Sequence, residues 1–330
     1  MTTKNNEMFP MLVGDVGGTN ARFGLLPGRG ARPRCVVTYR CAEFPGIVDA
    51  LKHYLSRIDA ARPRYGAIAV ATAVTGDRIR MTNHVWQFSV EETRRILKLE
   101  QLKVVNDFTA LALALPFLTP EEKVQIGGGE AVPGTAVALL GPGTGLGVSG
   151  LVPAGERWIP LQGEGGHVTF APDSEREFEI ARILRQRHGH VSAERLLSGP
   201  GLVNLYRAYA VLQGVEASSF TPADVTSRAL AGECSLCEAA LESFCAILGT
   251  TAGNLALTLG ARGGIYVGGG IVPRLGEYFA ASPFRQRFEQ KGRFSDYLAA
   301  IPCWVIVAKY PALIGAADFL LQQQSEMVSG

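Results

Sequence analysis

The sequence predicts an α/β fold that is internally duplicated and has a larger, helix-rich second half. Short apolar strands alternate with amphipathic helical stretches, the signature of a sheet covered by helices. A strand running into a glycine-rich turn occurs at residues 11–26, and a comparable pattern returns at residues 136–152. After the second copy most of the chain has helical spacing.

Residues 11–26 read as a hairpin: an apolar strand, the turn Gly14-Asp15-Val16-Gly17-Gly18-Thr19-Asn20, and a second strand through Ala21, Phe23 and Leu25. Residues 66–71 and 102–105 are short buried strands, and residues 45–58, 89–97 and 108–115 have helical spacing. In the second copy, Val137-Ala138-Leu139-Leu140 leads into Gly141-Pro142-Gly143-Thr144-Gly145-Leu146-Gly147 and out through Val148 to Leu151. Residues 175–187, 201–212, 223–230 and 238–259 then read as helices. A strand at 264–267 runs into Gly268-Gly269-Gly270, and the chain closes with a strand at 303–307 and a helix at 313–323.

Composition narrows the function classes. The 330 residues suggest roughly two domains at about 150 residues each. With 32 Lys+Arg against 30 Asp+Glu the net charge is +2, which supplies no basic field for nucleic acid. Hydrophobic residues at 47% and charged residues at 19% are the proportions of a folded chain with a sizeable core. The six cysteines are scattered, and the N-terminal MTTKNNEMFP lacks the apolar stretch of a secretory signal, which favours a reducing cytoplasm. Two long uncharged stretches, 131–155 and 243–261, carry several glycines and polar residues and read as soluble core rather than membrane spans.

Three glycine turns, each directly after an apolar strand, are the main chemical signal. Glycine permits positive φ and close approach, so that backbone N–H groups converge on phosphate oxygens. One such turn alone is an ordinary connection; three together suit a nucleotide. The spacing of a P-loop and of a dinucleotide-binding G-x-G-x-x-G are both absent, since residues 141–147 have glycine at every second position. Asp15 stands among the first set of glycines as a candidate for a hydrated Mg²⁺ carried by a nucleotide, against an Asx-turn role. Asp107 follows a strand at its carboxyl end, where ligands of α/β sheets bind, and is a candidate proton acceptor against a helix N-cap role. Glu164 and His167, two glycines apart, suit the hydroxyls of a polyol, and two ligands are too few for structural zinc. Glu194 on its own reads as a solvated helix residue. Cys234-Ser235-Leu236-Cys237 reads as partly buried thiols without chemistry.

Together these motifs resemble the bacterial glucokinases of the hexokinase, actin and Hsp70 superfamily over nearly the whole chain. The resemblance is carried by Val13-Gly14-Asp15-Val16-Gly17-Gly18-Thr19-Asn20-Ala21-Arg22, Met81-Thr82-Asn83-His84, Asn106-Asp107-Phe108-Thr109-Ala110 and residues 141–147. It continues through Gly163-Glu164-Gly165-Gly166-His167, Ser192-Ala193-Glu194-Arg195, Leu197-Ser198-Gly199-Pro200-Gly201-Leu202 and Gly268-Gly269-Gly270-Ile271-Val272-Pro273. It implies a two-lobed actin-like ATPase (ribonuclease H-like) fold, with a small lobe of residues 1–117 plus 308–330 and a large lobe of residues 118–307. The implied reaction is phosphorylation of the C6 hydroxyl of glucose by ATP with Mg²⁺, the entry step of glycolysis. Gly14, Asp15, Gly17, Gly18, Thr19, Asn20, Gly143, Thr144 and Gly145 would then hold the phosphates, Asp15 the metal, and Gly268, Gly269 and Gly270 the adenosine side. Asn106, Asp107, Glu164, His167 and Glu194 would bind the sugar, with Asp107 as the base. A cytoplasmic homodimer with its interface on the larger lobe is also implied.

Another hexose or phosphoryl donor remains an alternative within the kinase class, and a non-catalytic sugar-responsive regulator is the alternative outside it. The regulator is disfavoured because no helix-turn-helix extension precedes Val13 and Asp107 is intact. An actin-like assembly protein would not need Glu164, His167 and Glu194. The family usually has proline where this sequence has Ala73, and His167 is followed by Val168-Thr169-Phe170-Ala171-Pro172 rather than the Cys-rich zinc motif of a sibling group, so no zinc is expected.

Overall fold

The computed structural model describes residues 8–59 and 62–329. Residues 1–7, most of the stretch read above as lacking a secretory signal, lie outside the described residues. Along the chain the first elements are β1 (Met11–Val16), β2 (Asn20–Leu26), β3 (Arg34–Arg40), α1 (Ile47–Arg57), β4 (Tyr65–Val70), β5 (Arg78–Arg80), β6 (Gln87–Ser89), α2 (Val90–Leu97), β7 (Gln101–Asn106) and α3 (Asp107–Ala114). The middle contains β8 (Lys123–Ile126), β9 (Val137–Pro142), β10 (Leu146–Ala154), β11 (Arg157–Pro160), α4 (Glu175–His188), α5 (Gly199–Leu212), α6 (Pro222–Leu230) and α7 (Ser235–Leu259). The chain ends with β12 (Ile265–Val267), α8 (Glu277–Ala281), α9 (Phe284–Glu289), α10 (Ser295–Ala299), β13 (Cys303–Ile306) and α11 (Pro311–Ser329). Contacts divide it into two units, one of Met1–Thr119, Ala154–Gln162 and Ala308–Gly330, the other of Pro120–Pro153 and Gly163–Val307.

In the first unit the strand order is β3-β2-β1-β4-β7, with β1, β4 and β7 parallel and β2 and β3 antiparallel. Successive side chains of a strand point to opposite faces, so the apolar run of β1 feeds two cores. Leu12 and Val16 join Phe23, Ile47, Leu51, Tyr54, Ile68 and Trp86 on one side. Met11 and Val13 join Ala67, Val105, Ala110, Leu313, Ile314, Ala317 and Leu320 on the other, where α3 and α11 lie. Burial on both faces explains why the parallel strands read as continuous apolar runs. Residues 154–162, expected within the 118–307 block, group with the first unit because β11 packs beside α3.

In the second unit β10, β9, β12, β13 and β8 lie side by side in that order. β9 and β10 form an antiparallel hairpin, while β12 runs parallel to both β9 and β13. The sequence β2-β1-β4-β7 is thus repeated as β10-β9-β12-β13: a hairpin, then two strands parallel to its first arm. This is the expected duplication. The helix α7 alone among the described residues is long and apolar enough to cross a membrane, but 67% of its apolar window is buried within the fold. Phe244, Cys245, Ile247, Leu248 and Ala252 sit in the core of the second unit. Its Gly249 and Gly253 let α9 approach, since a Cβ at Gly249 would overlap the carbonyl of Phe284 and one at Gly253 would lie 2.7 Å from that of Phe288.

Gly315 performs the same service in the first unit, where a Cβ would overlap the Ala110 carbonyl and lie 2.9 Å from the Ala114 nitrogen. Replacing glycine by alanine inside a helix ordinarily stabilises it by about 1 kcal/mol. Here overpacking reverses the sign: Gly315→Ala is expected to lower stability by about 1–3 kcal/mol, read from the midpoint of urea unfolding.

Candidate active site

The parallel register of the first unit places Val16 beside Val70 and Val70 beside Asn106, so three chain segments leave the sheet at one edge. Asp15, on the penultimate residue of β1, is paired across the hairpin with Arg22, whose Nη1 donates to Oδ2 at 3.0 Å. Burial pushes the Asp15 carboxyl above its ordinary range, and Arg22 opposes that rise by attraction and hydrogen bonding. Beyond it, Gly17 N–H donates to the Asn20 carbonyl at 2.9 Å and Cys41 N–H to that of Thr19 at 2.9 Å, closing the first glycine turn.

Of the glycines in the three turns, Gly18 and Gly145 are required by close approach rather than by backbone angle. Only Gly269 has positive φ, at +81°. A Cβ at Gly18 would stand 2.8 Å from the Asn83 carbonyl, which is how the segment Met81-Thr82-Asn83-His84 closes against the first turn. Ala73, where the family usually has proline, is exposed in the loop between β4 and β5.

Asn106, rather than Asp107, is the N-cap of α3: its Oδ1 accepts from Phe108 N–H at 2.9 Å and Thr109 N–H at 3.1 Å. The cap role considered for Asp107 therefore belongs to its neighbour. Asp107 is the first helical residue, half-buried, and its Oδ1 accepts from Phe108 N–H at 2.9 Å, where the helix N-terminus favours a negative charge. Asn106 is itself anchored, its Nδ2 donating to the Thr72 carbonyl at 3.3 Å. Thr72 in turn shares a hydroxyl hydrogen bond of 2.8 Å with Thr82. Sequence reasoning missed Thr72 because nothing in its surroundings marks it before the strand ends are aligned.

In the second unit the second and third glycine turns are neighbours. Gly268 N–H donates to the Leu140 carbonyl at 2.9 Å, Ile271 N–H to that of Pro142 at 3.3 Å, and Gly269 lies directly against Pro142. Gly143 N–H donates to Gly145 at 2.8 Å, while Thr144 is exposed at the tip. Glu164 and His167 sit at either end of a short 3₁₀ turn, with His167 N–H donating to the Glu164 carbonyl at 3.0 Å; both side chains are exposed. Ala193 N–H donates to Val168 at 2.9 Å, which sets the turn carrying Glu194 beside the one carrying His167. Glu194 is not the solvated helix residue its local sequence suggests. It is half-buried in a 3₁₀ turn, and its Oε2 accepts from Leu146 N–H at 2.9 Å.

With this geometry in view, a family model described as Glucokinase matches residues 12–323. The chain belongs to the glucokinase family. A glucokinase of Aromatoleum aromaticum is 53% identical over 321 residues, covering 97% of each chain. A relative in Burkholderia pseudomallei named Bifunctional protein glk is 53% identical over 322 residues, which are 97% of this chain but 50% of that protein, so this chain spans half its length. The crystal structure of a glucokinase from an Antarctic psychrotroph, 38% identical, matches with a TM-score of 0.86 over 94% of this chain and 98% of that one. The fold is accordingly the two-lobed α/β fold of sugar kinases.

Among the described residues, no three His, Cys, Asp or Glu side chains cluster as the ligands of a metal ion held by protein side chains alone. Cys237 in the C-x-x-C is buried and its thiol is pushed up to about 12 by that burial, which leaves it a poor nucleophile.

Asn106→Ala removes both the cap and the tie to Thr72, and is expected to lower stability by about 0.5–2 kcal/mol, with Asn106→Ser recovering most of it in the same unfolding assay. For Asp15 the sign is opposite. A carboxyl whose folded pKa is raised above 3.8 favours folding below that pH, and this contribution is lost as pH rises through the folded pKa. Asp15→Asn is therefore expected to be at least as stable as the parent at pH 7, with the difference shrinking as the pH falls toward 4; melting temperatures at the two values check this.

Proposed function

We propose that this chain transfers the γ-phosphoryl group of ATP to the C6 hydroxyl of glucose, giving glucose 6-phosphate and ADP. Alongside family membership, the observation that supports this best is the placement of Asp107. It stands on the first turn of α3, just past the carboxyl end of β7, and β7 lies in one parallel register with the strand that runs into the first glycine turn. Phosphoryl transfer is chiefly a matter of position and charge, with the acceptor oxygen in line with the γ-phosphorus. Asp107 orients the C6 hydroxyl and takes its proton as the oxygen attacks. The remaining hydroxyls are assigned to Asn106, Glu164, His167 and Glu194.

Residues 14–20 and 143–145 are assigned to the phosphates, and residues 268–270 to the adenosine side. Asp15 suits the Mg²⁺ that accompanies the nucleotide, because Arg22 engages one carboxylate oxygen and the side chain keeps 21% of its surface exposed. When bound, that ion neutralises charge on the β- and γ-phosphates. Arg22 offsets the carboxylate when no nucleotide is present. A cytoplasmic homodimer at the entry to glycolysis is the setting this reading implies.

The test is ADP release by the purified chain with MgATP, with and without glucose, and with fructose, mannose and N-acetylglucosamine as competing acceptors. Glucose-dependent turnover is expected, and Asp107→Ala is expected to reduce it by about 10²–10⁴-fold. Glucose binding without turnover would defeat the reading.

A further inference from the structure

Leu146, the first residue of β10 and the one after the turn tip 143–145, carries contacts from both of the turns that bear the acids Glu164 and Glu194. Its N–H donates to Glu194 Oε2 at 2.9 Å. Its carbonyl lies so close to Gly166 that a Cβ there would overlap it. One residue earlier, a Cβ on Gly145 would overlap the Glu194 carboxylate. The segment after Glu194 reinforces the same brace: Gly199 N–H donates to the Gly143 carbonyl at 2.8 Å, and Ser198 Oγ donates to the Glu194 carbonyl at 2.8 Å while capping α5. Residues 143–146 are thus held at one end by the backbone of residue 199 and at the other by the Glu194 carboxylate.

We infer that Glu194 is a positioning residue for the phosphate turn 143–145 as well as a sugar ligand. A carboxylate accepting a backbone N–H makes a charge-assisted hydrogen bond, the stronger kind, and this one is half-buried. It fixes where Leu146 leaves the turn and hence where the N–H groups of Thr144 and Gly145 stand. Glu194 therefore has one oxygen committed to the phosphate turn and one available to a sugar hydroxyl. Glu164 is exposed on a separate turn. The inference rests on the reading of residues 143–145 as a phosphate turn.

The experiment measures the dissociation constant of ADP with Mg²⁺ by calorimetry on the full chain, with no sugar present. A residue that touched only sugar would leave this value unchanged. Glu194→Ala is expected to weaken ADP binding about tenfold or more, the scale of a lost charge-assisted hydrogen bond. Glu194→Asp keeps the charge but withdraws the oxygen, and is expected to weaken ADP similarly. Glu194→Gln still presents an oxygen to Leu146 N–H, so ADP binding stays within about twofold while glucose binding falls. Glu164→Ala is expected to weaken glucose but not sugar-free ADP binding. Parent-like ADP affinity in Glu194→Ala or Glu194→Asp would overturn the inference, as would equal weakening in Glu164→Ala. An unaltered chain that bound no ADP would instead overturn the phosphate-turn reading itself, and this inference with it.

Discussion

Within each unit the candidate site residues depend on parallel pairing around a hairpin. Parallel strands end at the same edge, so their outgoing turns are delivered together. In the first unit the aligned rungs Val16, Val70 and Asn106 put the first glycine turn, Thr72 and Asp107 at one edge. In the second, Leu140 pairs with Val267, and the turns at 143–145 and 268–270 follow directly from those strands. The strands hold that register because both of their faces are buried, and a slip of one residue would send every side chain to the wrong core. Polar candidate residues such as Thr72, Asn106 and Asp107 therefore come at or just past the ends of the strands. The position of chemistry in this chain is a consequence of where hydrophobic burial stops.

Asp15 is the exception, since it lies within the ladder rather than beyond it. Its rung partner across the antiparallel hairpin is Arg22, and opposite charges facing one another across two strands are a favourable pair. Burial nonetheless dominates, and the carboxyl remains harder to ionise than an ordinary aspartate. Asp107 is treated differently, at a helix N-terminus where backbone N–H groups favour the negative charge. Two carboxylates in one unit are thus held in opposite ways, one against the cost of desolvation and one with the help of the helix. On the proposed reading, a cation-bearing nucleotide at that turn would offset the cost of holding Asp15 there.

Much of this was legible in the sequence because burial on both faces leaves uninterrupted apolar runs. β1, β4, β7 and β9 announced themselves that way, and α7 did so by length. The hairpin partner β3 did not, because only Tyr39 of its seven residues is buried and no alternation survives. The short helices α8 to α10 were missed because six residues or fewer show too little periodicity to mark them. The candidate residues at 14–20, 106–107, 164–167 and 194 were visible as types and spacings, but their roles in the fold were not. That Asn106 rather than Asp107 caps α3 is decided by one backbone angle, and that Glu194 reaches Leu146 is a contact between residues 48 apart.

The same long-range contacts explain why the glycines matter where they do. Gly18 faces Asn83, Gly145 faces the Glu194 carboxylate and Gly166 faces the Leu146 carbonyl, and none of the three has positive φ. Sequence alone credits such glycines with conformational freedom; the structure credits them with the absence of a side chain. Close-packed protein transmits displacement instead of absorbing it. A methyl group at Gly145 would displace the Glu194 carboxylate, and one at Gly166 would displace the strand that leaves the turn at 143–145. In the second unit the residues assigned to sugar and those assigned to phosphate therefore meet at Leu146, whose N–H holds the Glu194 carboxylate and whose carbonyl packs on Gly166.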